Sequence, residues 1–80
     1  MENQSNQFKT SDLSLCATLV YYGYAIEKID KTNPRKAEFI IKQNDQLDKI
    51  LQDFWNYQLK VEPKAYFNFL KELKSRLYSN

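Results

Sequence analysis

The sequence predicts an α+β domain with the order α-β-β-α-α: one helix, a β-hairpin, then two antiparallel helices, all three packed on one face of the hairpin. Three observations carry that expectation. Apolar residues recur at steps of three and four over two stretches of the C-terminal half, the signature of helices with one buried stripe. The middle of the chain alternates instead, with Ala37, Phe39 and Ile41 separated by Glu38, Ile40 and Lys42, which is the strand period. The single glycine, Gly23, stands between the two regimes, where a helix needs a left-handed stop.

Residues 1–9 are rich in Asn, Gln and Ser and read as a flexible N-terminal arm, with Phe8 as the point where it could dock. Residues 10–80 read as one domain. Thr10 or Ser11 can cap a first helix running to about Tyr22. Leu13, Leu15, Cys16, Ala17, Leu19 and Val20 make that helix apolar nearly all round, so more than one of its faces is expected to be covered. Residues 24–30 and 36–43 follow as strands. Ile26 and Ile29 are three apart, which suggests a bulge in the first of them. Asn33-Pro34 supplies the turn between the strands.

Residues 44–59 form the clearest helix signal, with Leu47, Ile50, Leu51, Phe54, Trp55 and Leu59 on one stripe. Asn44 is placed to cap it, and Asp45 and Asp48 suit its positive end. Trp55, the only tryptophan, is expected in the core because it can bury the most apolar area. Pro63 opens the last helix, whose inner face carries Tyr66, Phe69, Leu70, Leu73 and Leu77.

Composition limits the chemistry. The chain of 80 residues has no histidine, one cysteine and one glycine. The commonest general base and metal ligand is therefore absent, and neither a usual zinc site nor a Cys–His pair can be assembled. Glycine-rich phosphate loops need more than one glycine. No cofactor, no metal and no enzymatic activity are expected. Asp45 with Asp48, and Glu27, Asp30 and Glu38 on the hairpin, read as solvated charge. Cys16 reads as a small core residue. At 42% hydrophobic and 15% aromatic residues the chain can fill a core, so disorder is not expected. No apolar run is long enough to span a bilayer. The polar MENQSNQ start lacks the character of a secretory signal, and a lone cysteine suits a reducing compartment. A cytoplasmic protein is expected.

Two binding classes remain. Lys60, Lys64, Lys71, Lys74 and Arg76, five cations against Glu62 and Glu72, lie in the C-terminal region, and the turn adds Lys31, Arg35 and Lys36. Tyr57, Tyr66, Phe67 and Tyr78 are interleaved with them, which is what phosphate contact and base stacking require. The other class is protein binding. Tyr21, Tyr22, Tyr57 and Phe67 do not all fit the inner stripes, and exposed tyrosines are common interface anchors. A two-stranded sheet also leaves edges open to another chain or a second copy, so a homodimer is one expectation. A protein-interaction module is the leading expectation, with a nucleic-acid-binding protein as the alternative.

The pattern Thr10-Ser11-Asp12-Leu13, Gly23-Tyr24, Asn33-Pro34-Arg35, Phe54-Trp55-Asn56, Leu59-Lys60-Val61-Glu62-Pro63 and Leu70-Lys71-Glu72-Leu73-Lys74 resembles a small family of unknown function from bacteria and phages. The resemblance covers roughly residues 8–77. It implies one domain in a cellular or mobile-element setting, and no activity.

Overall fold

The computed structural model describes residues 7–33 and 35–78. The order is β1 (Gln7–Thr10), α1 (Leu13–Tyr21), β2 (Ile26–Asp30), β3 (Glu38–Lys42), α2 (Leu47–Trp55) and α3 (Pro63–Tyr78). The α+β class is as the sequence predicts, with one element more. Residues 7–9, expected at the end of a flexible arm, instead belong to a strand that pairs antiparallel with β3. Phe8 packs against the core while Gln7 and Lys9 stay exposed. The rest of the expected arm, residues 1–6, lies outside the described residues.

The sheet runs β1-β3-β2, with β3 antiparallel to both neighbours. β1 and β2 are therefore parallel to each other, with β3 slotted between them, and α1 forms the crossover of a split β-α-β unit. A bulge lies between Ile26 and Lys28, as the irregular spacing of that strand suggests. Asn33 closes the β2–β3 turn. Its carbonyl accepts from the amide of Lys36 at 3.1 Å and its side chain from the amide of Arg35 at 3.0 Å. Pro34, expected to preset this turn, lies outside the described residues.

Register sorts the sheet's two faces, because residues directly opposite across an antiparallel pair share a side. Phe8, Ile26, Ile29, Phe39 and Ile41 face the core. The other face carries Lys9, Lys28, Asp30, Glu38 and Lys42. Ile40 is nevertheless only 5% exposed there, because Lys9 and Lys28 sit directly opposite it and their aliphatic stems can cover it. Both edges of β3 are paired. The apolar run Phe39-Ile40-Ile41 is buried within one chain, so this strand is covered without a second copy.

Asp12, rather than Thr10 or Ser11, caps α1. Its carboxylate accepts from the amide of Leu15 at 3.1 Å, while the Thr10 hydroxyl accepts from the amide of Asp12 at 3.0 Å. Leu15 to Leu19 are all buried, as the all-round apolar pattern implies. The helix ends on Gly23, in the left-handed region at φ 100°. There the amide of Tyr24 donates to Leu19 (2.9 Å) and that of Gly23 to Val20 (3.0 Å), the double bond of a Schellman motif.

α2 begins at Leu47, later than expected. Asn44 closes a turn of its own, accepting through Oδ1 from the amide of Gln46 at 3.0 Å and from the Tyr24 hydroxyl at 2.6 Å. Its side chain is thus committed before the helix starts, and Gln46 at the cap makes no side-chain bond. Asp48 does fall in the first turn. Leu47 and Leu51 enter the core. Trp55 does not: it is 59% exposed, against the expectation of burial. It sits at the edge of the stripe centred on Leu47, Leu51 and Phe54, and the helix stops at it before a further turn can cover it.

Pro63 is the first residue of α3, as predicted. The Glu62 carboxylate accepts from the amides of Lys64 (3.2 Å) and Ala65 (2.7 Å), a cap that complements the positive helix end. α3 packs chiefly on α1, not as an antiparallel partner of α2. Leu73 is its buried anchor.

Candidate functional site

Among the described residues no cluster of three or more His, Cys, Asp or Glu side chains could hold a metal ion. Cys16 is fully buried and burial pushes its thiol up to about 12, with Arg76 pulling weakly the other way. It is a protonated, unreactive thiol at neutral pH. Asp30 and Glu38 do oppose each other across β2 and β3. Asp30 is held below the usual carboxylate range, first by its hydrogen bonds from Thr32 and then by the nearby Lys28 and Lys9. That favours a permanent anion over a proton donor.

Two of the four tyrosine and phenylalanine residues read as protein-binding make hydrogen bonds within the chain, although Tyr22 stays 39% exposed. The Tyr22 hydroxyl donates to the carbonyl of Lys60, and the amide of Glu62 donates to the Tyr21 hydroxyl at 2.9 Å. The Tyr21 ring meets Tyr22 edge-on at 5.2 Å and Phe69 at 6.2 Å. Together they tie the end of α1 to the linker before α3, satisfying backbone groups that have no partner in a helix or strand. Tyr21 and Tyr22 are braces. Tyr66, on the inner stripe, likewise donates to the carbonyl of Ser14 at 3.3 Å.

The basic residues separate into groups. Lys64, Lys71 and Lys74 lie on the outer face of α3, and Phe67 and Tyr78 lie on the same face. In sequence the five run Lys64, Phe67, Lys71, Lys74, Tyr78, at steps of three, four, three and four. That spacing makes one continuous stripe opposite Leu73, roughly 21 Å long at the helical rise. Every member is exposed, Phe67 at 58% and Tyr78 at 82%. Glu72 and Arg76 fall on another flank, where the Arg76 charge acts on Cys16. Arg76 therefore lies off this stripe.

The stripe ends at a depression. Lys31, Asn33, Arg35 and Ala37 of the β2–β3 turn and Leu77 and Tyr78 of α3 line this open depression of about 460 Å³. The fold therefore joins Lys31 and Arg35 to the α3 stripe, although some forty residues separate them in sequence. Lys36 instead lines a smaller depression with Asp30 and Glu38. Lys60 is exposed on the linker.

A second aromatic feature lies at the end of α2. Trp55 and Tyr57 are exposed, Tyr57 at 93%, and Tyr57 is left-handed at φ 61°. Trp55 was missed because its spacing places it on the apolar stripe. Tyr78, noted only as an interleaved aromatic, could have been found by applying the same three-and-four count to the outer face of α3.

Comparison with curated proteins and with solved structures returns no match. The profile of the family described as a domain of unknown function (DUF5659) matches residues 5–79, nearly the whole chain, and the chain belongs to that family.

Proposed function

We propose that this protein is a non-catalytic binding module that holds nucleic acid on the outer face of α3, in a cell interior. The observation that supports this is the exposed stripe Lys64-Phe67-Lys71-Lys74-Tyr78, three cations and two aromatics with no acid among them. Cations on one face attract phosphates and release their counterions, and exposed rings between them offer stacking surfaces. A bacterial or phage setting belongs to the same proposal and rests on the sequence resemblance alone. Anisotropy of a labelled oligonucleotide, titrated with protein across a salt series, tests the reading. Binding should be measurable at ~50 mM salt and fall steeply as salt rises. Lys64→Gln, Lys71→Gln and Lys74→Gln together should abolish it while the fold, read by circular dichroism, is unchanged. Absence of binding at low salt overturns it.

A second reading, protein contact, is favoured by Trp55 and Tyr57, two exposed aromatics two positions apart at the end of α2. Its simplest form is a homodimer built on this pair. Sedimentation at tens of micromolar would then show a species heavier than the 9.6 kDa chain, and Trp55→Ala would return the monomer. A monomer at every concentration removes the dimer.

A further inference from the structure

We infer that the nucleic acid held by α3 is single-stranded, with bases stacked on Phe67 and Tyr78 and the strand continuing past Tyr78 to the β2–β3 turn. This rests on the nucleic-acid reading of the same stripe and specifies its ligand. A duplex buries the faces of its bases and offers a helix only groove edges and phosphates. Phe67 and Tyr78, the two most prominent members of the stripe, could form no hydrogen bond to base edges through their rings. Against a duplex the rings would lie over phosphates, where only the Tyr78 hydroxyl could bond. An unpaired strand presents base faces, and stacking on an aromatic ring is its principal non-ionic contact.

The spacing suits such a strand. Eleven residues separate Phe67 from Tyr78, about 16 Å along the helix, or roughly five nucleotides at the rise of a stacked strand. Lys71 and Lys74 lie between the two rings, where the intervening phosphates would pass. Beyond Tyr78 the open depression of about 460 Å³ beside Lys31 and Arg35 falls within the size range of small-ligand pockets, so it can admit one base with its sugar.

An anionic membrane surface is the competing occupant for a basic, aromatic helix. A helix that lies on lipid needs an apolar face to bury in it. In α3 that face is already committed, with Leu73 buried and Tyr66, Leu70 and Leu77 packed against the core. Only the two isolated rings remain, each set among cations.

The test uses the full chain and three probes: a labelled thymidine oligomer of about 12 nucleotides, within single-strand site sizes, a hairpin duplex of the same length, and phosphatidylserine vesicles. At ~50 mM salt the single strand should bind at least about tenfold tighter than the duplex. Phe67→Ala and Tyr78→Ala should each weaken it about tenfold or more, as loss of a stacked base does. Phe67→Tyr should retain binding. Both rings are exposed, so the alanine variants should fold as the parent does, which their circular dichroism checks. Equal or tighter binding of the duplex, with no effect of either alanine, would sink the single-strand inference and leave the nucleic-acid reading standing. No binding to either oligonucleotide would sink both, and binding to vesicles alone would do so in favour of lipid.

Discussion

The ends of α1 and α2 are closed by the same pair of backbone hydrogen bonds, yet they are built from different residues. At α1 the amide of Tyr24 donates back to Leu19, and at α2 that of Gln58 donates to Asp53 at 2.8 Å. The inner bonds correspond too, Gly23 to Val20 and Tyr57 to Phe54 at 3.2 Å. The left-handed residue is glycine in the first motif and tyrosine in the second. An L-residue is disfavoured there by ~1–2 kcal/mol, less the ~0.5–1 kcal/mol that glycine forfeits in chain entropy. α2 thus carries a modest conformational penalty, and the ring it displays is almost fully exposed. The α1 end is tied down, with Leu19 buried and Tyr21 and Tyr22 bonded to the linker. The α2 end gives up stability at a surface, which is a known mark of binding sites. The contrast can be probed at each matching position.

The largest effect is expected at Leu19, which accepts the outer bond of the α1 motif from a fully buried position. Leu19→Ala should destabilise by about 2–5 kcal/mol, and each kcal/mol should lower Tm by about 4–8 °C in a domain of this size. Asp53 holds the corresponding place in α2 and is paired with Lys49 at 3.2 Å, a largely exposed contact. Asp53→Ala should stay within about 1 kcal/mol of the parent. Equal losses at the two sites, measured by urea denaturation, would show that the ends are equally internal.

Removing both hydroxyls of the brace comes next. Tyr21→Phe with Tyr22→Phe keeps the rings and deletes the bonds to Glu62 and Lys60. Each such bond contributes about 0.5–1.5 kcal/mol, so the double variant should lose about 1–3 kcal/mol, short of additivity because both act on one linker. A denaturation midpoint unchanged from the parent would mean that the tyrosines are free for an interface after all.

Those braces also mark where reading by sequence stops. They join residues 38 and 41 positions apart, beyond any local period, and a tyrosine off the inner stripe looks the same whether it braces a linker or meets a partner. β1 was missed for another reason. Four residues with one large apolar side chain are too short to show alternation, and the strand exists only because β3 lends it an edge. Asn44 looked like a cap because its turn and its bond from Tyr24 are not visible in local sequence. By contrast, the alternation in β3, the bulge in β2, the Gly23 stop and the Pro63 start were all legible, since each rests on chemistry within a few residues. The cationic part of the α3 stripe was legible on the same ground. Its junction with Lys31 and Arg35 depends on packing and was not.

Exchanging the left-handed residues tests the comparison most directly. A Cβ at Gly23 would meet nothing within 4 Å, so Gly23→Ala should cost only the backbone strain of a side chain at φ 100°, about 1–2 kcal/mol. Tyr57→Gly should gain about 0.5–1 kcal/mol. The opposite signs are the point of the pair, read as shifts of Tm in opposite directions. If Tyr57→Gly instead lowers Tm, the ring makes a stabilising contact and its exposure is not the reason it is retained.

The smallest effect on stability is expected at Trp55, where composition alone would have placed the largest. A buried tryptophan truncated to alanine costs about 3–5 kcal/mol. Trp55 is more than half exposed, and its recorded ring contact is an edge-on one with Phe54 at 6.5 Å between centroids. Such a pair at the surface contributes near the lower end of its range, so Trp55→Ala should cost about 0.5 kcal/mol. The variant should melt within a few degrees of the parent. Acrylamide should also quench the emission of the parent's only tryptophan efficiently in the folded state. A loss of several kcal/mol, or emission protected from the quencher, would place Trp55 in a covered environment. Sedimentation then separates the two ways that can arise. If protection appears only at concentrations where a heavier species forms, a second copy provides the cover and the α2 end is its interface. If it persists in a monomer, the ring is covered within one chain, and the α2 end is more internal than the exposure of Tyr57 beside it implies.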